Sequence, residues 1–181
     1  MSDNEEREML IAQALDTPIS TNEEFCLFWG GPFSQWAIRE MEIDGVKYNC
    51  CEQYMMSEKA KLFFDEDSRA LIMISKDPRE QKAIGRKVKN FNADDWNKVC
   101  RDVVYKANYA KFTQNADCLD TLMEQKGKII VEASPYDKIW GIGLSKDDPR
   151  ALDRSQWQGT NWLGEAIMRV RDELDRVRVG G

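Results

Sequence analysis

Two charged side chains stand where an apolar stripe is expected. Residues 50–64, CCEQYMMSEKAKLFF, are predicted to form a helix with Met55, Met56, Leu62 and Phe63 on one face. Glu52 and Lys59 fall on that same face, while Tyr54, Glu58 and Lys61 point elsewhere. Seven positions separate the pair, about 10.5 Å along a helix axis, so it is not an i,i+4 surface couple. Either both are rim residues whose ends reach water, or this face borders a pocket walled by Met55, Met56 and Phe63. In a pocket, Glu52 would sit in the first turn, where the helix dipole favours its anion. Partial burial would raise its pKa towards a useful acid-base range. Lys59 would act as an ammonium on phosphate or ribose oxygens, or, desolvated, as a neutral amine nucleophile.

A second constellation lies in VEASPYDKIWGIG, residues 131–143. A strand delivers Glu132, Ser-Pro breaks it, and Asp137 and Trp140 follow in a turn closed by Gly141 and Gly143. An acid three residues from an indole can combine hydrogen bonding with a stacking face; the competing reading is a structural turn with Trp140 plugging the core. A third is basic: residues 76–90 carry six cationic side chains (Lys76, Arg79, Lys82, Arg86, Lys87, Lys89) against Asp77 and Glu80. On a helix from 78 to 90, Arg79, Lys82, Arg86 and Lys89 share a face opposite Ile84, Val88 and Phe91. That is a phosphate-facing surface or a solvated one, with Arg86 beside Gly85 the residue to watch.

The chain has no histidine. Ser-His and Cys-His nucleophiles and His-based zinc or iron sites are thereby excluded, and acid-base work near neutrality falls to Asp, Glu, Lys or Tyr. Five cysteines without C-x-x-C spacing fit a reducing compartment, with Cys50 and Cys51 as packing residues. No signal peptide and no apolar run near 18 residues is present, so a soluble, intracellular protein (cytoplasmic or nuclear) with no membrane partner is expected.

The elements that must hold these groups can be read in order. Residues 3–15 form an acidic, marginal helix within an N-terminal segment, 1–24. FCLF is a short strand running into the Gly-Gly-Pro break of FWGGPFSQW. Residues 37–50 alternate around Asp44-Gly45, a two-residue hairpin signal. DSRALIMIS is a helix. The next helix opens at Asp77-Pro78, with Glu80 completing a capping-box-like spacing. Residues 92–112 form the best helix, with Trp96, Val99, Cys100, Val103, Ala107 and Ala110 on one stripe. ADCLDTLMEQ is a short helix, KIIVEAS a strand, and residues 161–177 a closing helix. The fold expected is α+β: a single, compact, helix-dominated domain over 25–178 with a small antiparallel sheet. At 181 residues and 42% hydrophobic content the chain can bury a real core. Its net charge of −6 argues against a general nucleic-acid coat protein while allowing a local basic patch.

Six stretches taken in order, FWGGPFSQW, DGVKYNCCEQYMMSEKAKLF, DPREQKAIGRKVKNF, NYAKFTQN, EASPYDKIWGIG and GTNWLGEAIMRVRDEL, resemble the NADAR family, named for NAD and ADP-ribose, of YbiA-like N-glycosidases. The resemblance runs from about residue 25 to 175. It implies a compact α+β domain that cleaves N-glycosidic bonds, in ribosylated pyrimidine intermediates of riboflavin synthesis or between ADP-ribose and guanine bases in DNA. By motif, the family glutamate falls on Glu52, its lysine on Lys59, its aspartate on Asp137, its tryptophans on Trp96 and Trp140, and its Gly-Arg step on Gly85-Arg86. Glu52, Asp137 and Lys59 are thus the expected catalytic set; Trp140, Arg86, Gly85, Trp96 and Phe33 are the expected substrate-binding set.

Gln53 stands where the riboflavin-intermediate type has histidine, and SPYDKIWGIG and FWGGPFSQW differ from that type's loops. These departures point to an ADP-ribosylated base or nucleic acid as substrate over a small ribosyl-phosphate metabolite. Such chemistry needs neither metal nor cofactor: a carboxylate stabilises the oxocarbenium-like state and the base departs. A non-catalytic ADP-ribose- or NAD-binding module is the rival of another class, disfavoured by the intact Glu52, Lys59 and Asp137.

Overall fold

The computed structural model describes residues 23–180; the acidic helix expected at 3–15 lies outside them. Four short strands and six α-helices follow in order. Strand β1 is Phe25–Phe28, β2 Met41–Ile43 and β3 Val46–Tyr48; helix α1 is Cys51–Leu62, α2 Glu66–Ile74, α3 Pro78–Arg86, α4 Ala93–Gln114 and α5 Ala116–Glu124; β4 is Ile129–Glu132, and α6 Trp162–Val179 closes the chain. The class is helix-dominated α+β, as expected.

The hairpin forms where Asp44-Gly45 placed it. Both residues have positive φ, 52° and 80°, the pairing a two-residue turn needs to match strand twist, and β2 and β3 pair antiparallel. A second, parallel pair joins β1 to β4, with Phe25 opposite Ile129 and Phe28 opposite Glu132. Thus the antiparallel ribbon is only half of the strand content.

Helix α1 is not amphipathic in the expected sense. Cys51 to Ser57 are buried without interruption, and Tyr54, placed outward by the wheel, is packed edge-on to Tyr48 at 5.1 Å. The helix is central, packing on α2, α3 and α4. Its polar side chains are occupied: Gln53 Nε2 donates to the carbonyls of Ile72 and Ser75 at 3.1 Å, and its Oε1 accepts from the Asn49 N–H at 2.8 Å. A buried amide with its valences filled costs little and fixes the end of α2 against α1.

Helix α3 begins as expected, with Asp77 accepting from the Arg79 N–H at 2.9 Å and Pro78 in the first turn. Glu80 does not complete a capping box; its carboxylate takes the Ser75 hydroxyl instead. The helix also stops at Arg86. Lys89 lies beyond it, its N–H bound to Asp65 Oδ2 at 2.9 Å, so the continuous basic face to residue 89 is cut short. Gly85 is buried because a Cβ there would stand 2.0 Å from Met56 Sδ; its absence lets α3 lie directly on α1.

Candidate active site

Glu52 is the second residue of α1, and its position is set by the loop that follows β1. The Glu52 N–H donates to the Gln35 carbonyl at 3.0 Å. That loop is braced on its other side by α4, where Asn108 Nδ2 donates to Gln35 Oε1 at 2.9 Å and Lys111 Nζ to the Ser34 carbonyl at 3.1 Å. Phe33 is buried between Phe28 and Phe112, ring centroids 5.5 and 5.8 Å away. It seats the loop in the core.

Only 6% of Glu52 is exposed. Burial pushes its carboxyl up to about 7; Lys82, Lys59 and Arg86 act the other way, and Asp137 adds to the rise. Groups from three elements therefore converge: Glu52 and Lys59 from α1, Lys82 and Arg86 from α3, and Asp137 from the loop after β4. Lys59 is half-buried, with its ammonium 4.5 Å from the Phe91 ring centroid. Burial lowers its pKa, Glu52 opposes that, and Arg86 adds to it. The rim alternative, both side chains ending in open water, does not describe this pair.

The loop holding Asp137 is built on itself. Ser134 Oγ accepts from the N–H groups of Tyr136 and Asp137 at 3.2 and 3.1 Å, and Asp137 Oδ1 accepts from those of Ile139 and Trp140 at 2.9 and 2.8 Å. Gly141 is required by close approach: a Cβ would lie 2.9 Å from the carbonyls of both Asp137 and Glu132. Trp140 is half-buried and edge-on to Trp162 at 5.7 Å. Trp96 is buried in the main core. The expected binding residues thus divide: Arg86 joins the charged cluster, whereas Phe33, Gly85 and Trp96 pack and shape the walls around it.

Two participants lie outside the expected catalytic and substrate-binding sets. Lys82, one turn before Arg86, is the cation with the largest effect on Glu52, and its ammonium lies 5.8 Å from the Trp36 ring. Glu132 ends β4 half-buried, its carboxyl pushed up to about 7 by burial first and then by Asp137. The period-two pattern of IIVE held its signal, because a strand with Ile130 inward carries Glu132 inward as well. Gln53 lies beside Glu52 in sequence only; its amide is spent on α2, so it carries no information about substrate.

A groove of about 530 Å³ opens at the far end of α1 between Leu62, Phe64, Asn90 and Lys98 and contains none of the clustered carboxylates. Among the described residues, no group of three or more Cys, Asp or Glu is placed to hold a metal ion, and no helix is long and apolar enough to cross a membrane.

Comparison with known proteins gives the family. The NADAR domain model matches residues 17–175. The chain is 44% identical over 131 residues to the Caenorhabditis elegans protein irg-1, a match covering 71% of this chain and 62% of that protein's length. It is 41% identical over 146 residues to an N-glycosidase of Acanthamoeba polyphaga mimivirus, covering 78% and 86%. The NMR structure of Escherichia coli YbiA superposes with a TM-score of 0.73 at 25% identity, over 90% of this chain and 91% of that one. The relatives that bear the name N-glycosidase put the protein in the class of hydrolases acting on N-glycosyl bonds. The chain belongs to the NADAR family.

Proposed function

We propose that this protein cleaves the N-glycosidic bond between a base and an ADP-ribosyl group, releasing ADP-ribose and restoring the base, with guanine in nucleic acid as the substrate. The observation that carries the reading is the company Glu52 keeps. A buried carboxylate at a helix start suits positive charge developing at the anomeric carbon, and Lys82, Lys59 and Arg86 around it suit the oxygens of a diphosphate. A substrate with both features, a reacting ribose and an adjoining diphosphate, matches that arrangement.

In this scheme Glu52, as carboxylate, stabilises the oxocarbenium-like state and receives the proton of the attacking water. Asp137 fixes its loop through Oδ1 and adds negative charge beside the reacting sugar. Arg86 and Lys82 grip the diphosphate, and Trp140 packs the sugar or the base. Lys59 serves as a further phosphate clamp; its lowered pKa also suits a neutral amine attacking an opened sugar aldehyde, and borohydride trapping with no adduct at Lys59 removes that role.

The second reading is a small ribosyl-phosphate pyrimidine of riboflavin synthesis. The net charge of −6 favours it, since a long nucleic-acid footprint would meet an acidic surface. The deciding experiment offers the protein ADP-ribosylated guanine in DNA and an aminopyrimidine ribosyl phosphate side by side. Release of guanine-containing DNA with free ADP-ribose, in a reaction weakened by salt, is expected. Turnover of the pyrimidine alone would move the assignment to the metabolite, and binding of ADP-ribose without any hydrolysis would make the domain a recognition module.

A further inference from the structure

We propose that Glu132 is the proton donor of this reaction, the side chain that hands its carboxyl proton to the departing base. The inference rests on the N-glycosidase reading of the same cluster and assigns it a second, distinct carboxyl.

The argument begins with strand direction. In β4, Val131 belongs to a small cluster with Ile142, Leu144 and Ala151, whereas Ile130 faces the main core, which includes Met55 and Met56 of α1. Side chains two apart on a strand share a face, so Glu132 extends the Ile130 face towards α1. Its backbone is held from both sides: the N–H donates to Asn161 Oδ1 at 3.0 Å, and the carbonyl accepts from the Ile142 N–H at 3.0 Å. Asn161 also donates to the Ile130 carbonyl at 3.0 Å, acting as a short stand-in for a neighbouring strand. A carboxyl on so fixed a backbone is pre-positioned.

The side chain itself is unfinished. Glu132 Oε2 is buried and has no hydrogen-bond partner, a state native proteins avoid unless a ligand or a function fills it. A buried carboxyl oxygen without a partner is free to meet an incoming polar atom. Burial first, then Asp137 from its own loop and Glu52 from α1, raise its pKa, and Lys82 from α3 opposes them. Glu52, by contrast, has three cations working to keep it ionised. Both carboxyls rise to about 7, and of the two Glu52 has the more cations acting on it, which favours it as the anion and leaves Glu132 as the acid.

The balance is as follows. The bond between the anomeric carbon of the ADP-ribosyl group and the base nitrogen breaks, and its electron pair leaves on that nitrogen, which takes the proton from Glu132. Water adds its oxygen to the anomeric carbon, and the proton it sheds goes to the Glu52 carboxylate. Transfer of that proton to bulk water, and uptake of one by Glu132, restores both groups; nothing is oxidised or reduced.

The test measures kcat/KM against pH for the wild type, Glu132→Gln and Glu132→Asp on an ADP-ribosylated guanine oligonucleotide. The wild type should show a bell near neutrality, its alkaline limb belonging to Glu132. Glu132→Gln should fold, lose about 10²- to 10⁴-fold in rate and lose that limb. Glu132→Asp, which keeps an acid on a shorter arm, should recover part of the loss and the limb. A glutamine variant within about twofold of wild type with an unchanged profile overturns the donor role and leaves the glycosidase reading intact. A loss that aspartate fails to relieve, with the alkaline limb still present in Glu132→Gln, shows a structural carboxyl and also overturns it. A wild type that cuts none of these bonds defeats the parent reading and the donor role together.

Discussion

Glu52 at the start of α1 and Lys111 near the end of α4 are both ionisable and both buried, at 6% and 0% exposure, yet their surroundings differ in kind. Lys82, Lys59 and Arg86 act on Glu52 to lower its pKa and Asp137 to raise it, none of the three cations within ion-pair distance. Lys111 has, among the described residues, no carboxylate within ion-pair distance; its amine goes to the Ser34 carbonyl, 4.9 Å from the Phe112 ring, with the thiols of Cys51, Cys118 and Cys50 nearby. Burial lowers the pKa of the lysine and raises that of Cys51 to about 11, so neither supplies a strong charge to the other. Both residues brace the same loop, Glu52 through its N–H at Gln35 and Lys111 through its side chain at Ser34. On the proposed function, the difference separates a buried charge used for chemistry, with cations acting on it from two helices, from one used for architecture, satisfied by a single carbonyl.

Substitutions can widen or break that contrast. The largest effect is expected at Glu52: Glu52→Gln should lower turnover by about 10²- to 10³-fold, the loss typical of one well-aimed electrostatic partner, with circular dichroism unchanged. Next, Asp137→Ala should cost about 100-fold by freeing the turn that Oδ1 pins, whereas Asp137→Asn, which can still accept both N–H groups, should keep the loop and shift the pH optimum downwards. Trp140→Ala should act mainly on binding, raising KM about 10-fold. At Lys111 the effect should appear in stability: Lys111→Ala opens a cavity and should cost about 2–5 kcal/mol in denaturant melts, while Lys111→Met, which fills the space without a buried amine, should cost far less.

The smallest effect is a matter of pH. A carboxyl whose pKa rises from 4.5 to about 7 on folding favours the native state fully below 4.5, and that contribution is lost as pH rises to about 7. Glu52→Gln lacks the penalty of an ionised buried group. It should melt roughly 2–6 °C above wild type at pH 8, with the gap narrowing towards pH 5. A gain in stability with a loss of rate is the mark of a functional buried charge.

The parts of this fold readable in the sequence are those with local chemistry. Asp44-Gly45 announced its turn because few other residue pairs accept two positive φ values, and Asp77-Pro78 announced α3. The β1–β4 pair was not readable: its strands are four residues each, a hundred positions apart, and parallel pairing leaves no turn between them as a clue. The continuous burial of residues 51–57 was hidden because Gln53 and Glu52 look like surface residues until their partners on α2 and α3 are known. The site was partly readable. Glu52, Lys59, Arg86 and Asp137 came from residue type and motif, while Lys82 was read only as one of four cations on a basic face and Glu132 only as the end of a strand, because their nearness to Glu52 depends on tertiary packing.

The most direct test of the account is a single-turnover experiment with Glu52→Gln and an ADP-ribosylated guanine oligonucleotide, with binding followed by calorimetry on the same sample. The account predicts a stable complex of near wild-type affinity that leaves the substrate uncut over many wild-type half-lives. Release of ADP-ribose at the wild-type rate would contradict it and remove Glu52 from the chemistry.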